Sequence, residues 1–149
     1  MKLHEILVNN QTDIINEAFS SLDRSHLRHY NTSRADENWQ RLAKLFDLTL
    51  NGVKTKSLVD MVTYSEKIAK ERYESGFDLH EVHTAYNVLE ETIWKTIIKE
   101  VDQIDLAESL GLISTVLGTG KESLAIAYVS LSGKQRVNSL NLSQLFRGK

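Results

Sequence analysis

The chain is expected to fold as an all-α bundle of five to six helices with a long C-terminal helix, and three observations predict it. There are 0 Pro in 149 residues, so the strongest helix breaker is missing. Apolar residues recur at three- and four-residue steps along successive segments. Residues Glu71 to Val82 spell the end of one helix, a tight turn and the start of the next. In that stretch Gly76 supplies the left-handed residue that ends a helix, and Asp78 caps the following one. Glu81, three residues after the cap, completes a capping box, and Phe77 with Val82 forms a hydrophobic staple across it.

Each element follows from its own pattern. Leu3, Ile6, Leu7, Ile14, Ala18, Phe19 and Leu22 mark one face of a first helix, interrupted near Asn9 and Asn10 and ending near Asp23. Residues Arg24 to Thr32 are polar and aperiodic, a connection. Ser33 with Asp36 can cap a second helix that carries Trp39, Leu42, Ala43, Phe46, Leu50 and Val53 and loosens near Asn51-Gly52. Ser57 with Asp60 can cap a third, whose inner face is Leu58, Met61, Val62, Ser65, Ile68, Ala69 and Tyr73. The fourth runs from Leu79 to about Val101, with Val82, Ala85, Tyr86, Leu89, Ile93 and Ile97 inward.

The fifth helix begins near Asp105 and is apolar on two sides. Its seam of Leu106, Leu110, Ile113, Leu117, Gly120, Leu124, Ala127 and Leu131 alternates four- and three-residue steps, as in a helix packed nearly parallel to its neighbours. Leu112, Val116, Thr119, Ser123 and Ile126 form a second row, and a helix apolar on two faces must bury both. The second row is therefore the expected interface of a homodimer. Beyond Gly133 the chain turns polar, and Val137, Leu140, Leu142, Leu145 and Phe146 then form an amphipathic tail too short for a core of its own. The expected division is a helical domain over 1–131 and a tail or linker helix over 132–149.

Composition excludes several classes of function. With 0 Cys there is no disulfide, zinc-thiolate site or cysteine nucleophile. The 18 basic and 20 acidic residues leave a net charge of -2 with no block of one sign, which is not the footprint of a nucleic-acid or anionic-membrane binder. No apolar run approaches the roughly 20 residues of a membrane span, and Met1 to Asn10 lacks the form of a signal peptide. A cytoplasmic protein is expected.

Three motifs invite a chemical reading, and each fails on spacing. His80-Glu81-Val82-His83 is one residue short of the zinc-protease pattern, which needs a second histidine where Thr84 stands. Asp23-Arg24-Ser25-His26 with His29 offers one partial unit where a di-iron bundle needs paired ones. Gly118-Thr119-Gly120-Lys121-Glu122-Ser123 is phosphate-loop-like, but Thr115 replaces the first glycine and Glu122 the magnesium-binding hydroxyl. No catalytic, metal or cofactor residue is assigned, and no enzyme activity is expected. Trp39, Phe46, Tyr73, Tyr86 and Trp94 fall mostly on inward faces, where the same periodicity suits a packed core or a small apolar pocket.

The run AKERYESGFDLHEVHTAYNVLEETIW, Ala69 to Trp94, resembles the RsbRD N-terminal domain family of RsbT co-antagonist type. A helix there ends in a short basic and acidic stretch before Gly-Phe-x-Leu, and the next helix carries a Tyr and a Leu. With the first helix and the Trp39 helix in the matching places, the resemblance extends over Met1 to about Leu131. It implies a haem-less, globin-like helical sensory module of bacterial stress signalling, joined through its C-terminal helix to an output such as a STAS, helix-turn-helix or kinase domain. This chain contains no such segment, which suits a standalone regulator or the input half of a longer protein. The joint is also distantly similar to the haem-ligating region of sensor globins, but Ala69 to Ser75 contains no histidine, and His80 and His83 lie after Gly76. The expected function is a non-catalytic signalling domain that dimerises and passes a shift through its last helix to a downstream protein. The alternative is a globin-like sensor that binds haem or another small cofactor.

Overall fold

The computed structural model describes the backbone of residues 2–32 and 34–146, and the side chains of these except 31, 32 and 135–146. Among the described residues seven helices follow one another: α1 (Leu3–Asn9), α2 (Gln11–Arg24), α3 (Arg28–Thr32), α4 (Ala35–Thr55), α5 (Val59–Glu74), α6 (Leu79–Glu100) and α7 (Gln103–Phe146). No strand occurs among the described residues. The chain is all-α, with more segments than the five to six expected. The first expected helix is broken where its periodicity falters: the Asn10 side chain donates to the Ile6 carbonyl at 2.8 Å, and its backbone at φ -109 leaves the helical region. The polar connection also contains a turn of helix, α3.

Packing is layered. α4 and α6 are touched from both sides, by α1 and α2 on one and by α7 on the other, and α5 packs on α7 and α4. The core runs through all of them, with Leu7, Ile14, Phe46, Met61, Leu89, Ile93 and Ile113 almost wholly buried. The inner seam expected for the last helix is placed there: Ile113, Leu117 and Leu124 are fully buried, and Leu106 and Leu110 pack against the same core. Gly120 lies on this seam because nothing larger fits; a Cβ there would stand 2.8 Å from Met61 Sδ and 2.9 Å from Tyr86 Cε2.

Several local expectations change. Gly52 does not loosen its helix, since α4 continues to Thr55; Gly52 instead admits Val116, whose Cγ1 would lie 2.8 Å from a Cβ. The Ser57 and Asp60 box does not form. α5 starts at Val59, its backbone N–H donates weakly to Ser57 Oγ at 3.4 Å, and Asp60 Oδ2 accepts from Asn51 Nδ2 at 3.1 Å. Asp36 pairs with Arg34 at 3.2 Å, while Ser33 lies outside the described residues. The segment 118–123 is interior to α7, so it forms no loop. α7 runs on through Gly133 to Phe146, since an isolated glycine inside a helix costs only about 1 kcal/mol.

The joint between α5 and α6 is built as its sequence dictates. Gly76 takes φ 89, its N–H donates to the Tyr73 carbonyl at 3.1 Å, and the Phe77 N–H donates to the Arg72 carbonyl at 2.9 Å. Those two bonds close a Schellman motif. The Glu81 N–H donates to Asp78 Oδ1 at 2.9 Å and the Asp78 N–H to Glu81 Oε1 at 3.1 Å, the reciprocal capping box. Asp78→Ala should cost about 1 kcal/mol. Gly76→Val should cost more, about 1–3 kcal/mol, because a β-branched residue resists positive φ. Urea melts of the two variants check the order, and equal negligible losses would remove the joint from the account.

Candidate functional site

The joint gathers side chains from four helices around Phe77. Its ring stands 4.9 Å from His29 and meets Tyr30 edge-on at 5.2 Å, both from α3. The guanidinium carbons of Arg41 on α4 and Arg72 on α5 lie 5.6 and 5.8 Å from the ring centre, within cation–π range. From α7, the Tyr128 hydroxyl donates to the Phe77 carbonyl at 3.1 Å, and its ring meets Tyr73 edge-on at 5.7 Å. The position of the last helix is thus tied by one buried hydrogen bond to the turn where α5 ends.

Glu81 is the polar centre of the joint. It is 4 % exposed, and its carboxylate accepts from the His29 backbone N–H at 2.8 Å, from His29 Nδ1 at 2.7 Å and from the Asp78 N–H. Burial pushes the carboxyl up, but the bonds from His29 and Asp78 outweigh burial and hold it below the ordinary carboxylate range. Glu81 therefore stays ionised in the interior and holds α3 against α6.

Beside the joint lies a cavity of about 20 Å³, lined in part by Tyr30, Arg41, Tyr64, Arg72 and Tyr86. Burial, opposed by Arg72 and Arg41, pushes the Tyr30 hydroxyl up to about 12, and burial also raises Tyr64 and Tyr86. All three phenols remain protonated at neutral pH. Burial and then the neighbouring Arg72 pull Arg41 below its usual range. Tyr86 further shares a 2.8 Å hydrogen bond with Ser65.

The five aromatic residues expected around one pocket are not brought together there. Tyr86 lines the cavity, but Phe46 is fully buried core. Trp39 is half-buried, with its indole N–H donating to Asn16 Oδ1 at 2.9 Å. Trp94 is 37 % exposed, and Tyr73 packs on Tyr128. An open cleft of about 720 Å³ lies elsewhere, between the start of α1, the end of α4 and the α6–α7 turn, with lysines and carboxylates mixed on its walls. Among the described residues no group of three or more His, Asp or Glu could hold a metal ion. None of the described helices is long and apolar enough to cross a membrane.

The second row of the last helix divides. Val116 is 1 % exposed and packs on Gly52 of α4, so it belongs to the chain's own core and not to its surface. Leu112, Thr119 and Ser123 are half-buried, and Ile126 is 63 % exposed. At 3.6 residues per turn Val116 lies about 40° to one side of Leu112 and Ile126 about 40° to the other. The row is wide enough for α4 to cover one edge and leave the other open. Val129, which the row did not include, is 69 % exposed beyond Ile126. Tail residues Val137 to Phe146, expected to join the interface, have side chains outside those described.

Tyr30, Arg41 and Arg72 were not singled out by sequence patterns, and His29 only as part of a partial metal-ligand cluster. A signal existed in two of them. Asn38, Arg41, Leu45 and Leu48 form one three-four-three row on α4, and Met61, Ser65, Ile68 and Arg72 one four-three-four row on α5. An arginine that completes a buried row is a cation drawn into the interior.

The described residues form an all-helical bundle with a buried polar joint tied to a long last helix. The model of the family described as RsbT co-antagonist protein rsbRD N-terminal domain matches residues 13–129, and the chain belongs to that family. It is a family of stress-signalling regulatory domains and not a known enzyme family. No curated protein matches the chain. No solved structure does either.

Proposed function

We propose that this chain is a non-catalytic, cytoplasmic signalling domain that acts as a homodimer and delivers its output to a downstream protein through α7. The observation that carries this reading is the open face of α7, where Ile126 and Val129 are 63 % and 69 % exposed while the opposite face is core. Neighbouring positions suit a second helix. Thr115 and Thr119 donate their hydroxyls to the Gly111 and Thr115 carbonyls at 2.9 and 2.7 Å, which satisfies both within the helix. Gly111 and Gly118, seven residues apart, have open space where a side chain would be, which lets another backbone approach. Glu122 and Glu108 are exposed charges on this face.

Signalling would then be a population shift between two packings of α7, biased by whatever changes the Tyr128 to Phe77 tie. Ile126→Glu with Val129→Glu should give a monomer by light scattering with the circular dichroism of the dimer. A protein that is already monomeric at micromolar concentration before substitution would end the dimer reading.

A further inference from the structure

The lysines on the walls of the open cleft come from one side of it and most of the carboxylates from the other. Lys2, Lys54 and Lys56 belong to the start of α1 and the end of α4, with His4 and Glu5 beside them. Glu100, Asp102, Asp105 and Glu108 belong to the end of α6, the turn and the start of α7. Among the described residues none of these lysines and carboxylates forms an ion pair. Nor do the carboxylates come together as a metal site. Opposite charges that line one cleft without meeting leave a space that a molecule carrying both signs would bridge. The surface between them is less polar, with Val53 buried and Leu3 and Val101 half-buried. Ser109 also lines the cleft and is 7 % exposed. Its hydroxyl has no hydrogen-bond partner among the described residues, whereas every described side-chain polar atom sealed from solvent has one. The Ser109 oxygen is therefore open to the cleft.

We propose that this cleft binds a short linear peptide of two or three residues with both ends free. Its ammonium would face the carboxylates of the α6–α7 side and its carboxylate the three lysines, while a backbone amide group meets the Ser109 hydroxyl, which can donate or accept. The size agrees. A space of about 720 Å³ is roughly 9 Å on a side and falls within the roughly 300–1,000 Å³ of ligand sites, and two or three extended residues span about 7–11 Å. A free amino acid is too short to reach both sides. The bound peptide would join α1 and α4 to the first turns of α7, at the end of that helix remote from Tyr128. The site does not use the exposed pair Ile126 and Val129, so it stands or falls independently of the dimer.

Trialanine is the probe, followed by the backbone amide chemical shifts of the full chain. Its addition at low ionic strength should move the resonances around Lys2, Lys54, Lys56, Asp105 and Ser109 and reach saturation. N-acetyl-trialanine and trialanine amide should each bind about two- to fivefold more weakly, the worth of one exposed ion pair. Lys54→Gln with Lys56→Gln should weaken trialanine by a similar factor and leave trialanine amide unaffected, because the amide has no carboxylate for the lysines to hold. Both lysines are exposed, so the double variant keeps the fold. The zwitterion ε-aminocaproate separates its charges in the same way but offers no backbone amide to Ser109, and it should bind more weakly than trialanine. Shifts that never saturate, equal affinity for the free and both blocked peptides, or equal affinity for ε-aminocaproate would overturn the assignment.

Discussion

Val116→Glu is expected to unfold the domain or bring it close to unfolding, with a loss of at least about 3–5 kcal/mol from a total near 5–15 kcal/mol. Val116 is 1 % exposed and seated on Gly52, so the new carboxylate would enter a space walled by α4 with no room and no cation assigned to it. Ionised, it suffers desolvation without a partner; protonated, it still overfills the contact with Gly52. Ile126→Glu, ten residues further along the same helix, should change the stability of the isolated protomer by no more than about 0.5 kcal/mol, because its side chain is mostly in solvent. Urea midpoints of the two single variants make the comparison. Similar losses for both would mean that α4 and α7 do not meet at Gly52.

Glu81→Ala is the second large effect expected, about 2–4 kcal/mol, since it removes a buried carboxylate and leaves the half-buried His29 N–H and ring and the Asp78 N–H without their acceptor. Glu81→Gln should cost less, because the amide oxygen still accepts on one side. The same carboxylate sets an acid limit. Its folded value lies below the ordinary 4.5, so its contribution is fully present above that value and is lost as pH falls through the folded one. Stability of the unmodified protein should therefore drop on acidification below about pH 4.5 more steeply than that of Glu81→Gln. Parallel curves for the two would remove Glu81 as the source.

The parts of the fold legible in the sequence are those decided within a few residues. The bonds that form the turn itself join Gly76 to Tyr73 and Asp78 to Glu81, three residues apart in each case, so the turn could be written down before any packing was known. The inner seam of the last helix was equally plain, since Ile113, Leu117 and Leu124 share one side at any packing angle. Val116 was not, because which edge of a broad apolar row is covered depends on where α4 crosses, and that is set by Gly52 more than sixty residues earlier. The Ser57 and Asp60 pattern misled for a related reason: Asp60 was drawn to Asn51 on the preceding helix. The tie from α3 to the α5–α6 joint was hidden altogether. His29 and Glu81 are 52 residues apart, and no local pattern pairs them. Family resemblance was readable from Ala69 to Trp94, whereas the cation pair that distinguishes the cavity required two buried rows to be read together.

α7 is one unbroken helix of 44 residues, about 66 Å long at 1.5 Å per residue. Its azimuth is set near the middle, where Gly120 leaves no slack between Met61 and Tyr86, and a rigid rod passes that angle on without attenuation. The helical backbone up to Phe146 thus takes its phase from a contact some 26 positions earlier. Phase, more than distance, is what such a shaft conserves. Removal of one residue between 134 and 146 turns all that follows by about 100°, whereas removal of seven restores the bearing to within about 20° and shortens the shaft by about 10 Å.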